Sequence, residues 1–240
     1  MSPSRRDYDD HLLARLYDAE YDEIDADLSF YLDHLEPGSV LELACGTGRL
    51  AVSLSRQGRQ VVGLDAAPAM IARARQHPEP VEWVVADMAN FSLERTFGNI
   101  VIPFSGLAFL PNTETQLRCL ACCRQHLSSN GLLILDLMNP ETSTGDSNPL
   151  DRTIKDPLTE QIFTKTTQVK SGLEKIEIFY TYTSGAIQLN HTLNLCRISL
   201  AQITEALEIS GFFIHETYGD YRSNPYTSRS PRLLLIAIAM

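Results

Sequence analysis

Short apolar runs alternate with stretches of helical periodicity through the middle of the chain. The runs that predict strands are residues 40–43, 60–64, 81–86, 97–102 and 132–137. Apolar positions recur at helical spacing in residues 49–57, 69–76 and 113–127. Apolar strands that alternate with helices are typical of a mostly parallel sheet covered on both faces. The pattern therefore predicts an α/β fold, preceded by one or two helices within residues 5–35.

The pattern changes after residue 140. Polar residues and turn formers fill residues 141–158, and three β-like runs follow. The runs are residues 161–169, 174–183 and 186–198. A Ser-Gly pair at each junction predicts a hairpin turn, so the runs form an antiparallel β-meander. A helix and two strands complete the pattern, at residues 200–209, 212–216 and 233–238.

These changes of pattern divide the chain into one main domain and two additions. Residues 37–140 and 199–240 are predicted to form the main α/β domain. Residues 1–36 are predicted to form an N-terminal helical cap, and residues 141–198 a β-meander insertion that covers the domain as a lid. A long loop joins the last two strands, which suits an antiparallel hairpin at the sheet edge.

Composition narrows the possible partners. The chain has 240 residues, of which 44% are hydrophobic, and a net charge of −10. This charge argues against nucleic-acid and anionic-membrane partners, because both need clustered Lys and Arg. We see no apolar run of about 18 residues, as a membrane span needs, and no secretory signal at the start. Five cysteines, an odd number, are most simply reduced thiols of a cytoplasmic protein.

The stretch VLELACGTGRL at residues 40–50 carries the strongest chemical signal. An apolar strand leads into a loop of small residues, and a helix begins directly behind the loop. Small residues let the backbone lie against a bulky ligand, and glycine can adopt a positive φ. The helix start presents unpaired N–H groups, and Gly46-x-Gly48-x-x-Ala51 matches the dinucleotide fingerprint. The stretch therefore predicts a cradle for a nucleotide-like cofactor.

Three carboxylates near this loop bear on which cofactor it holds. Asp65 ends the second strand, where it can accept hydrogen bonds from ribose hydroxyls. Asp87 ends the third strand beside Met88, and this pair suits an adenine amino group and ring. Glu42 approaches the loop within the first strand, which favours a cationic ligand over a pyrophosphate. An NAD(P)-dependent oxidoreductase is the alternative, because the glycines and Asp65 fit both cofactors.

With these residues in this order, the chain resembles the class I S-adenosylmethionine-dependent methyltransferases. The matching stretches are VLELACGTGR, VVGLDAAPAMIARAR, VVADM, FGNIVIPFSGLAFL, HLSSNGLLILDLMNP and ISGFFIHETYGDY. The resemblance implies a Rossmann-like, mostly parallel sheet whose last strand is antiparallel, with the β-meander as an insertion. It also implies S-adenosyl-L-methionine as the cofactor.

The resemblance assigns residues to the cofactor through their match to the family motifs. It implies that the first loop faces the methionine part, that the acid after the second strand holds the ribose, and that the acid after the third meets adenine. The cofactor-binding candidates are Tyr17, Glu42, Ala44, Cys45, Gly46, Thr47, Gly48, Arg49, Asp65, Ala66, Met70, Asp87, Met88 and Pro103. Ala44 departs from the glycine that is usual in the family, but its methyl group is small enough to leave the site open.

Two residues are the candidates for catalysis. Tyr21 ends a Tyr-Asp-x-x-Tyr segment that several small-molecule methyltransferases share, amino-sugar N-methyltransferases among them, and that folds over the cofactor in that family. His191 lies among alternating apolar residues on one face of a predicted lid strand, from which it could enter the acceptor pocket. Each residue has a structural alternative, since Tyr21 could only pack on the domain and His191 could only be hydrogen-bonded within its sheet.

The segment after the fourth strand narrows the acceptor without naming it. It lacks the Asn/Asp-Pro-Pro-aromatic run of enzymes that methylate adenine and planar amides, and the Pro-Cys of cytosine C5 methylation. Relatives often carry Asn and His where this chain has Ser105 and Phe109, which leaves nitrogen and oxygen acceptors both open. We predict methylation of a small molecule, with a non-catalytic methyltransferase-like binding protein as the second alternative.

The remaining predictions concern metals and assembly. Cys119, Cys122, Cys123 and His126 fall within one predicted helix, and one helix cannot wrap four ligands tetrahedrally around zinc. We therefore predict no metal site. The meander is open to being a lid, a homodimer surface or both.

Overall fold

The computed structural model describes residues 10–21, 25–142 and 145–240. Parts of the predicted cap and insertion, residues 1–9, 22–24 and 143–144, lie outside these described residues. The α-helices are α1 (His11–Tyr21), α2 (Leu28–His34), α3 (Arg49–Arg56), α4 (Pro68–Ala74), α5 (Thr113–His126) and α6 (Leu200–Ile209). A short 3₁₀ helix spans Gly106–Phe109.

The main sheet has seven strands in the order β10-β11-β5-β4-β1-β2-β3. They are β1 (Val40–Leu43), β2 (Val61–Asp65), β3 (Glu82–Val85), β4 (Phe97–Ile102), β5 (Leu127–Met138), β10 (Phe212–Tyr218) and β11 (Arg232–Ala239). Neighbouring strands pair in parallel except at β11, which runs antiparallel to both β5 and β10. The predicted Rossmann-like sheet with an antiparallel last strand is therefore confirmed.

The central strands of the sheet are buried on both faces, as their apolar sequences predict. Successive side chains of a strand point to opposite faces, so β1 contributes Leu41 to one core cluster and Val40 to the other. Helix α5 packs on the first face, and α2 and α3 pack on the second. Because β1 to β4 are parallel, their carboxyl ends meet at one edge, where the loops after them lie side by side.

The second sheet has four antiparallel strands in the order β6-β7-β8-β9. They are β6 (Leu150–Lys155), β7 (Ile162–Ser171), β8 (Lys175–Ser184) and β9 (Ile187–Cys196). The predicted meander is present as β7 to β9, but the prediction was one strand short. Strand β6 escaped notice because its sequence, LDRTIK, buries only Ile154 and otherwise reads as a polar loop. The predicted domain boundaries remain predictions.

Helix α1 lies between the two sheets and is ion-paired on both sides. Arg15 Nε lies 2.9 Å from Asp156 Oδ1, in the turn after β6. Asp18 Oδ2 accepts a 2.7 Å hydrogen bond from Arg73 Nε of α4. These pairs fix α1 against the main domain and against the second sheet. Within the described ranges, no helix has the length and apolarity that crossing a membrane requires.

Candidate active site

A cavity of about 530 Å³ lies where the carboxyl ends of β1 to β4 face the second sheet. This volume is in the usual range for small-molecule sites. One half is bordered by the loops that follow β1, β2 and β3, and the other by α1, the segment after β4 and the second sheet. The predicted site residues along its wall are Tyr17, Tyr21, Ala44, Gly46, Asp65, Ala66, Met70, Asp87, Met88, Pro103 and His191.

Two carboxylates face the cavity from the ends of adjacent strands. Asp65 Oδ2 accepts a 2.8 Å hydrogen bond from the Gly46 N–H, and its Oδ1 accepts another of 2.8 Å from the Ala67 N–H. These bonds hold the Asp65 carboxylate beside the loop after β1. Asp87 Oδ1 accepts a 3.0 Å bond from the Ala89 N–H. The arrangement is an acidic edge along which hydroxyl and amino groups of a nucleoside could be bound.

The loop after β1 bends through positive φ angles, and its two glycines serve different purposes. Gly46, at φ 57°, lies on the cavity wall, where an added Cβ would meet the Tyr17 ring at 3.6 Å. Gly48, at φ 91°, lies behind the loop, where a Cβ would lie 2.3 Å from the Trp83 indole. The first glycine supplies the positive φ of the bend, and the second lets the loop pack closely on the sheet.

Ala44 also adopts a left-handed backbone conformation, with φ 56°. This conformation costs a residue with a Cβ about 1–2 kcal/mol, which glycine would not incur. We expect Ala44→Gly to raise the free energy of unfolding by up to about 1 kcal/mol, net of the extra freedom of glycine in the unfolded chain. Affinity for S-adenosylhomocysteine, measured by calorimetry, should stay the same.

Urea unfolding of Ala44→Gly checks this expectation, and Ala66→Gly is the matched control. Ala66 also lines the cavity but is not among the residues with positive φ. The same substitution there should lower stability by about 0.5–1 kcal/mol. A loss of stability in Ala44→Gly equal to that in the control would contradict the strain argument.

Five cofactor-binding candidates do not reach the cavity wall. They are Glu42, Cys45, Thr47, Gly48 and Arg49. Glu42 and its neighbours in β1 alternate between the two faces of the sheet, and Glu42 points toward α3, where it accepts a hydrogen bond from the Ala51 N–H. Burial raises the pKa of Glu42 to about 8, which leaves it mostly protonated at neutral pH. The acidity of the cradle therefore comes from Asp65 and Asp87, and a direct role of these five residues stays a prediction.

Arg49 instead supports the cavity from behind. Its guanidinium donates to both carboxylate oxygens of Asp27, at 2.7 and 2.6 Å, and both side chains are buried. The same guanidinium lies 4.4 Å from the centre of the Phe104 ring. Phe104 in turn lines the cavity. A buried ion pair thus backs one of the aromatic walls.

A second buried network holds the segment after β4. Asp136, fully buried near the end of β5, accepts hydrogen bonds from the Phe104 N–H and the Tyr221 hydroxyl, both at 2.9 Å, and from the Arg232 guanidinium. Arg232 also donates to Ser105 Oγ at 3.2 Å. Phe104 and Ser105 have φ angles of 47° and 62°. Such angles persist only where the surroundings impose them, and the Asp136 network does so here.

Helix α1 closes one side of the cavity with two tyrosines. The ring centres of Tyr17 and Tyr21 lie 4.6 Å apart, and those of Tyr21 and Phe104 lie 6.4 Å apart in an edge-to-face arrangement. Burial raises the pKa of Tyr21 to about 12. Tyr21 is therefore a neutral phenol at physiological pH, able to orient a ligand but not to act as a base.

The inner face of the second sheet forms the opposite wall. His191 is buried there, and its ring is nearly parallel to that of Tyr180, with 6.1 Å between the ring centres. The alternation that placed His191 on an inward face also brings Lys165, Tyr180 and Tyr182 to the cavity. Our prediction had not included these three, although Lys165 alternates with the buried Phe163 along β7.

The described part of the chain contains no cluster of three or more His, Cys, Asp or Glu arranged to hold a metal ion. All five cysteines are free thiols. Cys45 packs behind the loop, and burial raises the pKa of its thiol well above the ordinary value.

Residues 40–131 match the profile of a family described as "Methyltransferase domain". The cypemycin N-terminal methyltransferase of a Streptomyces species is 25% identical over 209 residues, which are 84% of this chain and 83% of that protein. A ubiquinone biosynthesis O-methyltransferase of Cereibacter sphaeroides is 30% identical over 141 residues, 58% of this chain and 53% of that one.

Among solved structures, the amino pentose methyltransferase of Micromonospora echinaspora, bound to S-adenosylmethionine, has a similar fold. It superposes with a TM-score of 0.67 at 19% identity, over 92% of this chain and 91% of that one. The sheet order and these matches define the class: the fold is that of the class I S-adenosylmethionine-dependent methyltransferases, and residues 40–131 match their methyltransferase domain. The alternatives of an NAD(P)-dependent oxidoreductase and a non-catalytic protein give way to a methyltransferase that uses S-adenosyl-L-methionine.

Proposed function

We propose that this protein transfers a methyl group from S-adenosyl-L-methionine to a nitrogen or oxygen of a small-molecule acceptor. The observation that carries the proposal is the two-part cavity. The acidic edge of Asp65 and Asp87 borders one half, and an aromatic wall formed by two tyrosines of α1 and the inner face of the second sheet borders the other. When bound, the cofactor supplies an electrophilic methyl group on its sulfonium.

The first half of the cavity fits the cofactor. We assign the ribose to the Asp65 carboxylate, which its two N–H bonds already orient. We assign adenine to Asp87 and Met88, with Met70 and Ala66 as packing surface. Ala44, Gly46, Pro103 and Tyr17 would then border the methionine part.

The second half positions the acceptor and excludes water. Tyr21, a neutral phenol, orients the acceptor against Phe104 and Tyr17. An imidazole nitrogen of His191 accepts the proton that the acceptor loses, directly or through one bridging water. Alignment of the acceptor lone pair with the methyl carbon supplies the rest of the rate enhancement.

Several observations support a small-molecule acceptor. The cavity, of about 530 Å³, has the volume of a small-molecule site. The net charge of −10 opposes nucleic acid and anionic membranes as partners. The named relatives are a cypemycin N-terminal methyltransferase, a ubiquinone biosynthesis O-methyltransferase and an amino pentose methyltransferase. We include both nitrogen and oxygen acceptors because these names include both.

The second sheet fits a lid better than a homodimer surface. Its outward-facing positions are mostly threonine, asparagine, glutamine and charged residues, as in Thr164, Glu177 and Asn190, and they are exposed. An obligate dimer surface is more apolar than this. We also place the protein in the cytoplasm, because its cysteines are free thiols.

Calorimetry and methyl-transfer assays test the proposal. We expect micromolar or tighter binding of S-adenosylhomocysteine, no measurable binding of NAD(H), and transfer of a labelled methyl group to at least one member of a panel of amines, phenols and carboxylates. Binding of NAD(H) without S-adenosylhomocysteine would overturn it, as would transfer to RNA or DNA alone.

His191→Gln tests the proton acceptor with whichever panel member is methylated. We expect kcat to fall at least about a hundredfold, the usual contribution of a positioned base, with unchanged affinity for S-adenosylhomocysteine. Asn190→Gln, an exposed outward-facing position on the same strand, is the matched control and should keep wild-type turnover. Equal kcat values for the two variants would remove His191 from the mechanism.

A further inference from the structure

Lys165 is the most unusual residue of the acceptor half of the cavity. Its side chain is only 2% exposed, although it lies on the cavity wall. Nζ donates to Glu20 Oε2 at 2.5 Å and lies 3.8 Å from the centre of the Tyr180 ring. An ammonium carries three donors, and Glu20 takes one of them. A lysine is rarely buried to this extent unless it is paired, and Glu20 supplies that partner.

The charges around Lys165 do not cancel. Arg152 of β6 lies directly opposite Lys165 in the strand register, on the same inward-facing row. Burial lowers the pKa of Lys165, and the positive charge of Arg152 lowers it further, against the opposing effect of Glu20. Two cations thus face one carboxylate. The other acid near this end, Asp156, is already paired with Arg15.

Lys165 is also close to the proposed reaction centre. The Tyr21 ring separates the two, because it contacts Tyr17 and Phe104 on the cofactor side and lies 5.6 Å from Lys165 Nζ on the other. Beyond Tyr180, the inner face of the second sheet becomes aliphatic, with Ile178, Leu193 and Leu195 along the cavity. The wall therefore offers one positively charged corner and an apolar surface beside it.

We propose that Lys165, with Arg152 at the rim, binds an anionic oxygen of the acceptor, and that the acceptor is a small, largely apolar molecule bearing one carboxylate or phosphate. This inference rests on the proposed function, because it places the acceptor in the same cavity. The anion accepts a charge-assisted hydrogen bond from Lys165 Nζ, its apolar part packs on the aliphatic surface, and the methylated atom faces Tyr21.

Binding of simple probes to the protein saturated with S-adenosylhomocysteine tests the inference. The probes are benzoate, phenyl phosphate and their uncharged counterpart benzamide. The affinity of each probe is measured by calorimetry or NMR titration. In the wild-type protein, we expect one of the two anions to bind at least about tenfold more tightly than benzamide. The tighter anion distinguishes a carboxylate acceptor from a phosphate acceptor.

The variants locate the effect. Lys165→Met should reduce the preference for the anion to about twofold or less, and Lys165→Arg should retain part of it. Because Lys165→Met leaves the Glu20 carboxylate buried without its cation, the double variant Glu20→Gln/Lys165→Met is measured beside it. Arg152→Gln, at an exposed position, should weaken binding of the anion about threefold, as expected for one rim charge. Lys170 is an outward-facing lysine of the same strand, and Lys170→Met should leave the preference for the anion unchanged.

The outcomes separate this inference from the proposed function. If the wild-type protein binds neither anion more tightly than benzamide, the inference is overturned. It is equally overturned if the preference survives in both Lys165→Met and the double variant. Loss of S-adenosylhomocysteine binding by the wild-type protein would instead refute the proposed function itself.

Discussion

Asp65→Asn is expected to weaken the binding of S-adenosylhomocysteine at least about tenfold, the scale of losing one charge-assisted hydrogen-bond pair. Asp65 ends β2 on the cavity wall, and both its carboxylate oxygens accept backbone N–H bonds that fix its orientation. The ribose hydroxyls would donate to this pre-oriented anion. An asparagine keeps the shape, but it removes the charge and turns one acceptor into a donor that faces the Gly46 or Ala67 N–H.

Glu42→Gln is the matched control for this variant. Both substitutions turn a strand carboxylate near the same loop into its amide, but Glu42 is buried on the face toward α3 and does not line the cavity. Since the pKa of Glu42 is raised to about 8, the amide resembles the protonated form that dominates at neutral pH. We expect calorimetric affinity within about twofold of wild type for Glu42→Gln. Equal losses of affinity in the two variants would contradict the assignment of the ribose to Asp65.

The sequence predicts the main fold because its signals are local. Each strand of the parallel sheet is an apolar run bounded by glycine, proline or an acid, and each helix between them has a buried stripe. Strand β6 lacks such a signal. It is an edge strand with polar residues on both faces, and it is defined by its pairing with β7, which no local pattern encodes. 

The sequence predicts the cofactor half of the cavity better than the acceptor half. Asp65 and Asp87 follow from one rule, that acids at the ends of parallel strands meet at one edge. The same rule applies to Asp136 near the end of β5, so Asp136 could also have been predicted as a residue of the site. Its partner Arg232 has no local signal, since it is brought to Asp136 only by the pairing of β11 with β5.

Side-chain direction explains the candidates that miss the cavity. A motif identifies a stretch of chain, but successive residues of a strand point to opposite faces. Glu42 therefore lies on the sheet face toward α3, and Arg49 turns back to Asp27. The contact between Arg49 and Asp27 could not be predicted from sequence alone, because Asp27 lies 22 residues away with no motif around it.

Asp27→Ala is expected to destabilise the fold by about 3–5 kcal/mol, the cost of leaving a buried charge without its partner. Asp27 is fully buried at the start of α2, and its carboxylate binds Arg49 through two hydrogen bonds instead of capping its own helix. Without it, the Arg49 guanidinium is desolvated and unpaired beneath Phe104. Urea unfolding measures the loss, and the affinity for S-adenosylhomocysteine should fall in the fraction that stays folded.

Two further variants separate loss of the pair from loss of packing. The double variant Asp27→Leu/Arg49→Met replaces the pair by apolar side chains, and it should recover much of the stability that Asp27→Ala loses, because neither charge is then buried alone. Glu79→Gln breaks the exposed pair of Glu79 with Arg56 and should leave stability nearly unchanged. If Asp27→Ala were as mild as Glu79→Gln, Arg49 would have to reach water or a new partner, and the ion pair could not be what holds Phe104 against the cavity.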